Sequence, residues 1–347
     1  MKKIVILLVI ILAKNGNAQL TDIVTGLNKP GSIAIHGNTM YIGERDKVVK
    51  IDLTDPNPTP MDVLTGFDGG VHLLVHKNEL FVAMYRAGKV VKLDLSNTNP
   101  VPVDVVDKVF GANGLAIKGN YLYIAESTGD KISRIDLREV NPVATDIITG
   151  VDFPNALLIK DNDLYFIQVD DNKISKIDLS ETNPTPTDII TDLDTPSLGL
   201  LFIEGELYFS QYGGDKISKI NSNAINPIVT DVITDLNGPS QLLYVNNELF
   251  IAVLLEGRIA KISNAVLSVE DIDSNQDQSI RLYPNPTTDF ITITGLKSEQ
   301  KGTLYDVLGK KMMSTTVQNS TLDVQDLQKG MYYLVLANGW SQRILKK

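Results

Sequence analysis

The sequence predicts an all-β protein, a six-bladed β-propeller closed by its N-terminal strand and followed by a small C-terminal β-sandwich. Three observations predict it. An aspartate followed by Ile or Val recurs six times at nearly constant spacing, apolar runs are short and broken by turn residues, and the repeat stops near residue 263.

Composition sets the outer limits. The chain has 347 residues, enough for one large domain and one small one. It is 43% hydrophobic and 21% charged, which supports a buried core and argues against disorder. A formal charge of −10 repels phosphate backbones and excludes nucleic acid as the expected partner. There is no cysteine, so thiol chemistry and Cys-based zinc sites drop out, and the three histidines, His36, His72 and His76, are too few for most histidine-metal clusters. No metal and no cofactor is expected.

The N-terminus reads as a processing signal. Lys2 and Lys3 precede ten apolar residues, Ile4 to Ala13, and Gly16-Asn17-Ala18 offers small residues before a cut. Residues 1–18 are therefore expected to be a signal peptide, removed near Ala18-Gln19. Ten residues cover about half of a ~30 Å hydrocarbon core, and no later run approaches eighteen apolar residues, so the mature chain is expected to lack a membrane span.

Residues 19–263 hold the repeat. Its aspartate falls at Asp22, Asp62, Asp104, Asp146, Asp188 and Asp231, with steps of 40, 42, 42, 42 and 43 residues. In the third unit the order is an apolar run Gly114–Ile117, a turn, Tyr121–Glu126, a second turn, Lys131–Leu137, and an Asn141-Pro142 linker. Four short strands in about 42 residues is the size of a propeller blade. The second strand repeats an aromatic at Tyr41, Phe81, Tyr123, Tyr165, Tyr208 and Phe250, which predicts packing between blades. The sixth unit lacks its own Thr-Asp strand, and Thr21–Thr25 has no strands before it. The economical solution places Thr21–Thr25 as the outer strand of the last blade, leaving no open edge in the ring. The Asn-Pro linkers lead into outer strands, where a residue that cannot donate to a ladder is tolerated.

The runs Leu122-Tyr123-Ile124-Ala125-Glu126 and Lys131-Ile132-Ser133-Arg134-Ile135-Asp136 resemble those of six-bladed NHL-like and TolB-like propellers. The resemblance spans roughly Thr21 to Ser263. It implies the architecture and no single activity, since such propellers include receptors, adaptors, lactonases and lyases.

Residues 264–279 are polar and acidic, a linker composition. Residues 280–347 then carry Leu282-Tyr283-Pro284-Asn285-Pro286, Leu304-Tyr305-Asp306-Val307-Leu308-Gly309, Gly330-Met331-Tyr332-Tyr333-Leu334 and a basic end, Arg343 to Lys347. These blocks resemble the type A C-terminal sorting domain of the type IX (Por) secretion system of Bacteroidetes. The resemblance implies a small β-sandwich read by the secretion machinery, with the cargo attached to the cell surface or released. Apolar runs separated by Gly and Asn turns predict the same compact antiparallel domain.

Two rings of residues are expected at the mouth of the propeller channel, where repeat-to-repeat differences are informative. The first ends the second strands: Glu44, Met84, Glu126, Gln168, Gln211 and Val253, with Tyr212 beside Gln211. The second precedes or opens the inner strands and includes His72, Asn113, Asn155 and Ser240. Together Glu44, His72, Asn113, Glu126, Asn155, Gln168, Gln211, Tyr212 and Ser240 form the expected ligand face, for a protein or glycan partner. Against this stands a hydrolase or lyase acting on an extracellular lactone, glycan or peptide. There Glu44 and Glu126 form an acid–base pair, which needs roughly 5–9 Å between carboxylates, with His72 as a base. A third ring, Asp46, Gly88, Asp130, Asn172, Asp215 and Gly257, reads as turn chemistry, because it holds only residue types that tolerate positive φ.

Overall fold

The computed structural model describes residues 20–263, 281–295, 300–306, 310–317, 321–336 and 341–347. The predicted signal peptide (1–18) and linker (264–279) lie outside the described residues. Contacts divide the chain into two units, Met1–Asn264 and Ala265–Lys347.

In the first unit, Ile, Val, Leu and aromatic runs of four to eight residues form strands, and Gly, Asn and Asp turns reverse them. Five consecutive four-stranded antiparallel sheets follow, spanning 32–65, 71–107, 112–149, 154–190 and 196–233. The sixth is completed by the chain's own beginning. Strand Thr21–Val24 pairs with Arg258–Ser263 in the register Thr21↔Lys261, Asp22↔Ala260 and Val24↔Ile259, outside Glu248–Val253 and Pro239–Val245. The inner strands neighbour one another in sequence order, and the last also neighbours the first, so the six blades close a ring.

The repeat marker has a structural use. Each outer-strand aspartate pairs with the cation that opens the third strand of its blade: Asp62 with Lys47, Asp104 with Lys89, Asp146 with Lys131, Asp188 with Lys173 and Asp231 with Lys216. In the closing blade Asp22 meets Arg258 at 2.5 Å. Exposed pairs contribute little individually, and their service here is to fix strand register. The repeated aromatics Tyr41, Phe81, Tyr123, Tyr165, Tyr208 and Phe250 are all buried, and Tyr41, Phe81, Tyr123, Tyr165 and Phe250 sit in clusters drawn from two adjacent blades. Across the seam Val24, Ile33, Ile42 and Phe250 share such a cluster.

The second unit holds two antiparallel sheets. One orders Arg281–Tyr283, Phe290–Thr294 and Thr321–Asp323; the other orders Lys311–Val317, Gln300–Asp306, Gly330–Leu336 and Ser341–Lys346. Ile291, Ile293 and Leu322 of the first sheet share a buried core with Leu304, Val317, Tyr332, Leu334, Leu336 and Ile344 of the second. This is the expected β-sandwich. Among the described residues no helix is long and apolar enough to cross a membrane.

Candidate functional site

One face of the ring carries the turns between second and third strands and the loops that enter the inner strands. Five of its six blade junctions are built alike. Leu27, Val109, Val151, Leu193 and Leu236 each donate an N–H to the carbonyl of a turn residue in the preceding blade. The acceptors are Gly257, Gly88, Asp130, Asn172 and Asp215, at 2.9–3.1 Å. All five acceptors have positive φ, the turn conformation that their residue types predict. Asp130, Asn172 and Asp215 add a side-chain oxygen that accepts the N–H of Phe153, Thr195 and Gly238. These residues fasten blades together.

A second latch works within four of the six blades. Glu44, Glu126, Gln168 and Gln211 turn back to accept the N–H of Asn28, Phe110, Asp152 and Asp194, each in the loop entering the same blade. In blades three to five the other end of the side chain meets a buried serine of the third strand. Ser133 donates to Glu126 at 2.5 Å, while Gln168 and Gln211 donate to Ser175 and Ser218 at 2.8 Å. The expected first ring is therefore divided. Glu126, Gln168 and Gln211, no more than 2% exposed, are spent on their own backbone and do not reach the channel mouth.

Glu44 differs. In its blade the serine position is Val49, and the turn after Glu44 is two residues shorter than after Glu126. Its Oε1 accepts from Asn28, whereas Oε2 is buried without a hydrogen bond, 3.9 Å from the Lys47 ammonium. Glu44 lines a cavity of about 540 Å³ at the mouth. That cavity takes residues from every blade: Lys29, Gly31 and Arg45, then Gly69, Gly70, Val71, Tyr85 and Arg86, then Asn113, Phe153, Ser197, Tyr212, Ser240 and Leu254. Such a volume is within the range of small-molecule and glycan sites.

Of the expected ligand residues, Glu44, Asn113, Tyr212 and Ser240 line this cavity. His72 and Asn155 do not. His72 is 5% exposed and belongs to a hydrogen-bonded chain across three inner strands. Gln241 Oε1 accepts from Ser32 Oγ and Ile33 N–H, both at 2.7 Å, which fixes its amide; the amide nitrogen then faces His72 Nε2 at 3.2 Å and donates to it. Ser32 Oγ accepts from Leu73 N–H. Burial pushes the imidazole down to about 4, so it is neutral at physiological pH and out of a ligand's reach. The acid–base arrangement of Glu44, Glu126 and His72 is corrected accordingly. Only Glu44 reaches the cavity, so the three do not converge on one ligand.

Sequence reasoning missed Lys29, Arg45, Tyr85, Arg86, Phe153 and Leu254. The signal was one residue further along each unit: Arg45, Tyr85, Ser127, Val169, Tyr212 and Leu254 vary as framework positions do not. Neighbours along an extended chain face opposite ways, and four of these six, Arg45, Tyr85, Tyr212 and Leu254, line the mouth, whereas Ser127 is buried and donates to Pro154 O.

The mouth is asymmetric because the sixth junction, between blades one and two, breaks the pattern. The loop there runs Gly66-Phe67-Asp68-Gly69-Gly70, with all three glycines at positive φ. Gly70 N–H donates to Arg45 O, and Asp68 lies between two guanidinium groups, 3.4 Å from Arg45 and 2.8 Å from Arg86. Those pairs hold Asp68 below the usual carboxylate range, chiefly through the hydrogen bond from Arg45. A Cβ on Gly69 would strike the Arg86 side chain at 2.3 Å, so glycine lets this loop and arginine approach.

Comparison with known proteins agrees with both units. Residues 281–347 match the family model of the secretion system C-terminal sorting domain. No curated protein matches the sequence. Virginiamycin B lyase from Staphylococcus aureus is similar in structure at 15% identity, covering 71% of this chain and 98% of its own, with a TM-score of 0.52. An auxiliary nutrient binding protein from Bacteroides thetaiotaomicron, also 15% identical, covers 69% of each chain with a TM-score of 0.58. A chain of the nidogen/laminin complex is 13% identical over 66% of this chain and 90% of that one, TM-score 0.57. At these identities the likeness shows a shared propeller fold alone.

Proposed function

We propose that this is an exported binding propeller that holds a protein or glycan partner in the channel mouth and performs no chemistry on it. The observation that carries the reading is a 540 Å³ cavity at the mouth whose wall includes Gly69 and Gly70, from the one junction where the repeated latch is absent. A framework repeated five times and abandoned once points to selection for something other than packing. The sorting tail supports action outside the cell, with residues 280–347 engaging the type IX machinery and the chain ending attached to the surface or released. Removing residues 281–347 is expected to leave the protein inside the cell envelope, as followed by fractionation.

Thermal-shift screening of glycans and of extracellular proteins tests the binding role. A true ligand raises the Tm of the unaltered chain and leaves that of a Tyr212→Ala variant unchanged; a shift that survives the substitution places binding elsewhere. A second reading, hydrolase or lyase, is favoured by one observation, the Glu44 Oε2 that takes no hydrogen bond in a side chain at the cavity wall. Turnover of any lactone, glycan or peptide that vanishes in Glu44→Gln would establish it.

A further inference from the structure

The mouth does not end at its rim. A second cavity of about 500 Å³ lies over the seam between blades two and three, and Tyr85 and Arg86 line both. Its further walls include Asp107, Lys108 and Phe110, whose ring is 61% exposed. The two adjoin at these shared side chains, a groove in two parts.

Charge along this groove opposes that of the whole chain. Net charge is −10, yet the mouth is lined by Lys29, Arg45 and Arg86 against the single carboxylate of Glu44. Lys108 extends the basic side, offset by Asp107. Between Arg45 and Arg86 sits Asp68, about half exposed like its partners, and ion pairs this wet hold weakly. A guanidinium pair closed by a carboxylate on a glycine-rich loop has the chemistry to take another carboxylate in its place.

The remaining walls say what else the ligand carries. Tyr85, Phe153 and Tyr212 in the mouth and Phe110 in the groove offer flat apolar surfaces. Asn113 and Ser197 make no side-chain hydrogen bond among the described residues, leaving amide and hydroxyl groups of the kind that pair with ring hydroxyls. We infer that the groove takes an extended carbohydrate whose rings bear carboxylates, one of them seated on Arg45 and Arg86 in place of Asp68. This rests on the mouth being a ligand site and names its ligand class.

Calorimetry on the full chain tests it, using two-unit and six-unit oligomers of galacturonate, guluronate and mannuronate, their methyl esters, and hexaglutamate. The expected result is a six-unit acid that binds at least tenfold tighter than its two-unit counterpart and its ester. Arg86→Gln weakens both lengths about tenfold, and Phe110→Ala weakens only the longer one. Asp68→Asn, which removes the competing carboxylate, tightens binding severalfold while leaving the unfolding midpoint nearly unchanged. Equal binding of acid and ester, hexaglutamate binding as tightly as the best sugar, or no binding by any acidic oligomer overturns the inference. A neutral glycan or a protein displaced by Tyr212→Ala would sink the acidic chain and keep the mouth as the site. A ligand indifferent to both Arg86→Gln and Tyr212→Ala would sink both.

Discussion

At the scale of single residues, the same side-chain type does two jobs depending on what stands across from it. Glu126 has Ser133 and the Phe110 N–H to satisfy it, while Glu44 has Val49 opposite and keeps one oxygen without a hydrogen bond. Glu126→Ala strands a buried donor and is expected to cost about 2 kcal/mol in urea unfolding, with ligand affinity unchanged. An affinity loss would return Glu126 to the site. His72 makes a second prediction. The unfolded chain binds its proton near pH 6.5 and the folded chain near 4, because burial disfavours the imidazolium. Its contribution is therefore complete above about pH 6.5 and falls away as pH drops toward 4, by about 3 kcal/mol. Unfolding curves at pH 7 and 4.5 check this. The loss should be visibly smaller in His72→Gln, and equal losses would remove His72 as the source. Residue types and repeat positions were legible in the sequence here. Whether a ring faced the mouth or its own backbone was not, because that depends on a one-residue change of direction at the strand end.

Among elements, blade spacing is set by how closely the inner strands approach. Gly114 leaves room for a backbone: a Cβ there would stand 1.9 Å from Asn155 O of the next blade. Gly119 sits in a hairpin turn at φ +60° with open space around it. Gly114→Ala is expected to cost about 3 kcal/mol by forcing two blades apart, and Gly119→Ala about 1 kcal/mol from backbone strain alone. Thermal unfolding of the two variants side by side checks the ranking; equal losses would mean the blades yield freely. Strand order, blade count and the buried aromatic ring all followed from the repeat. The irregular junction at Gly66–Gly70 was present in the sequence too, as three glycines where other units have one or none, and reads as functional only once the five regular junctions are in view.

For the whole molecule, the ring depends on a strand that enters first and pairs last. Asp22 and Arg258 meet across 236 residues of chain. Deleting residues 19–25 exposes the third strand Arg258–Ser263 as an edge and uncovers Ile33, Ile42 and Phe250. The expected outcome is a lower, broader melting transition and self-association in size-exclusion chromatography; a monomer with unaltered melting would show that closure is dispensable. The same arrangement has a kinetic side. Contacts so distant in sequence form slowly, and the circle cannot be sealed until nearly the whole propeller is free to fold. A chain halted or clipped anywhere before residue 258 is left with two bare rims, one at each end, each a template for a neighbouring copy. Incomplete product is thus marked for clumping or proteolysis by geometry alone, without any dedicated checkpoint.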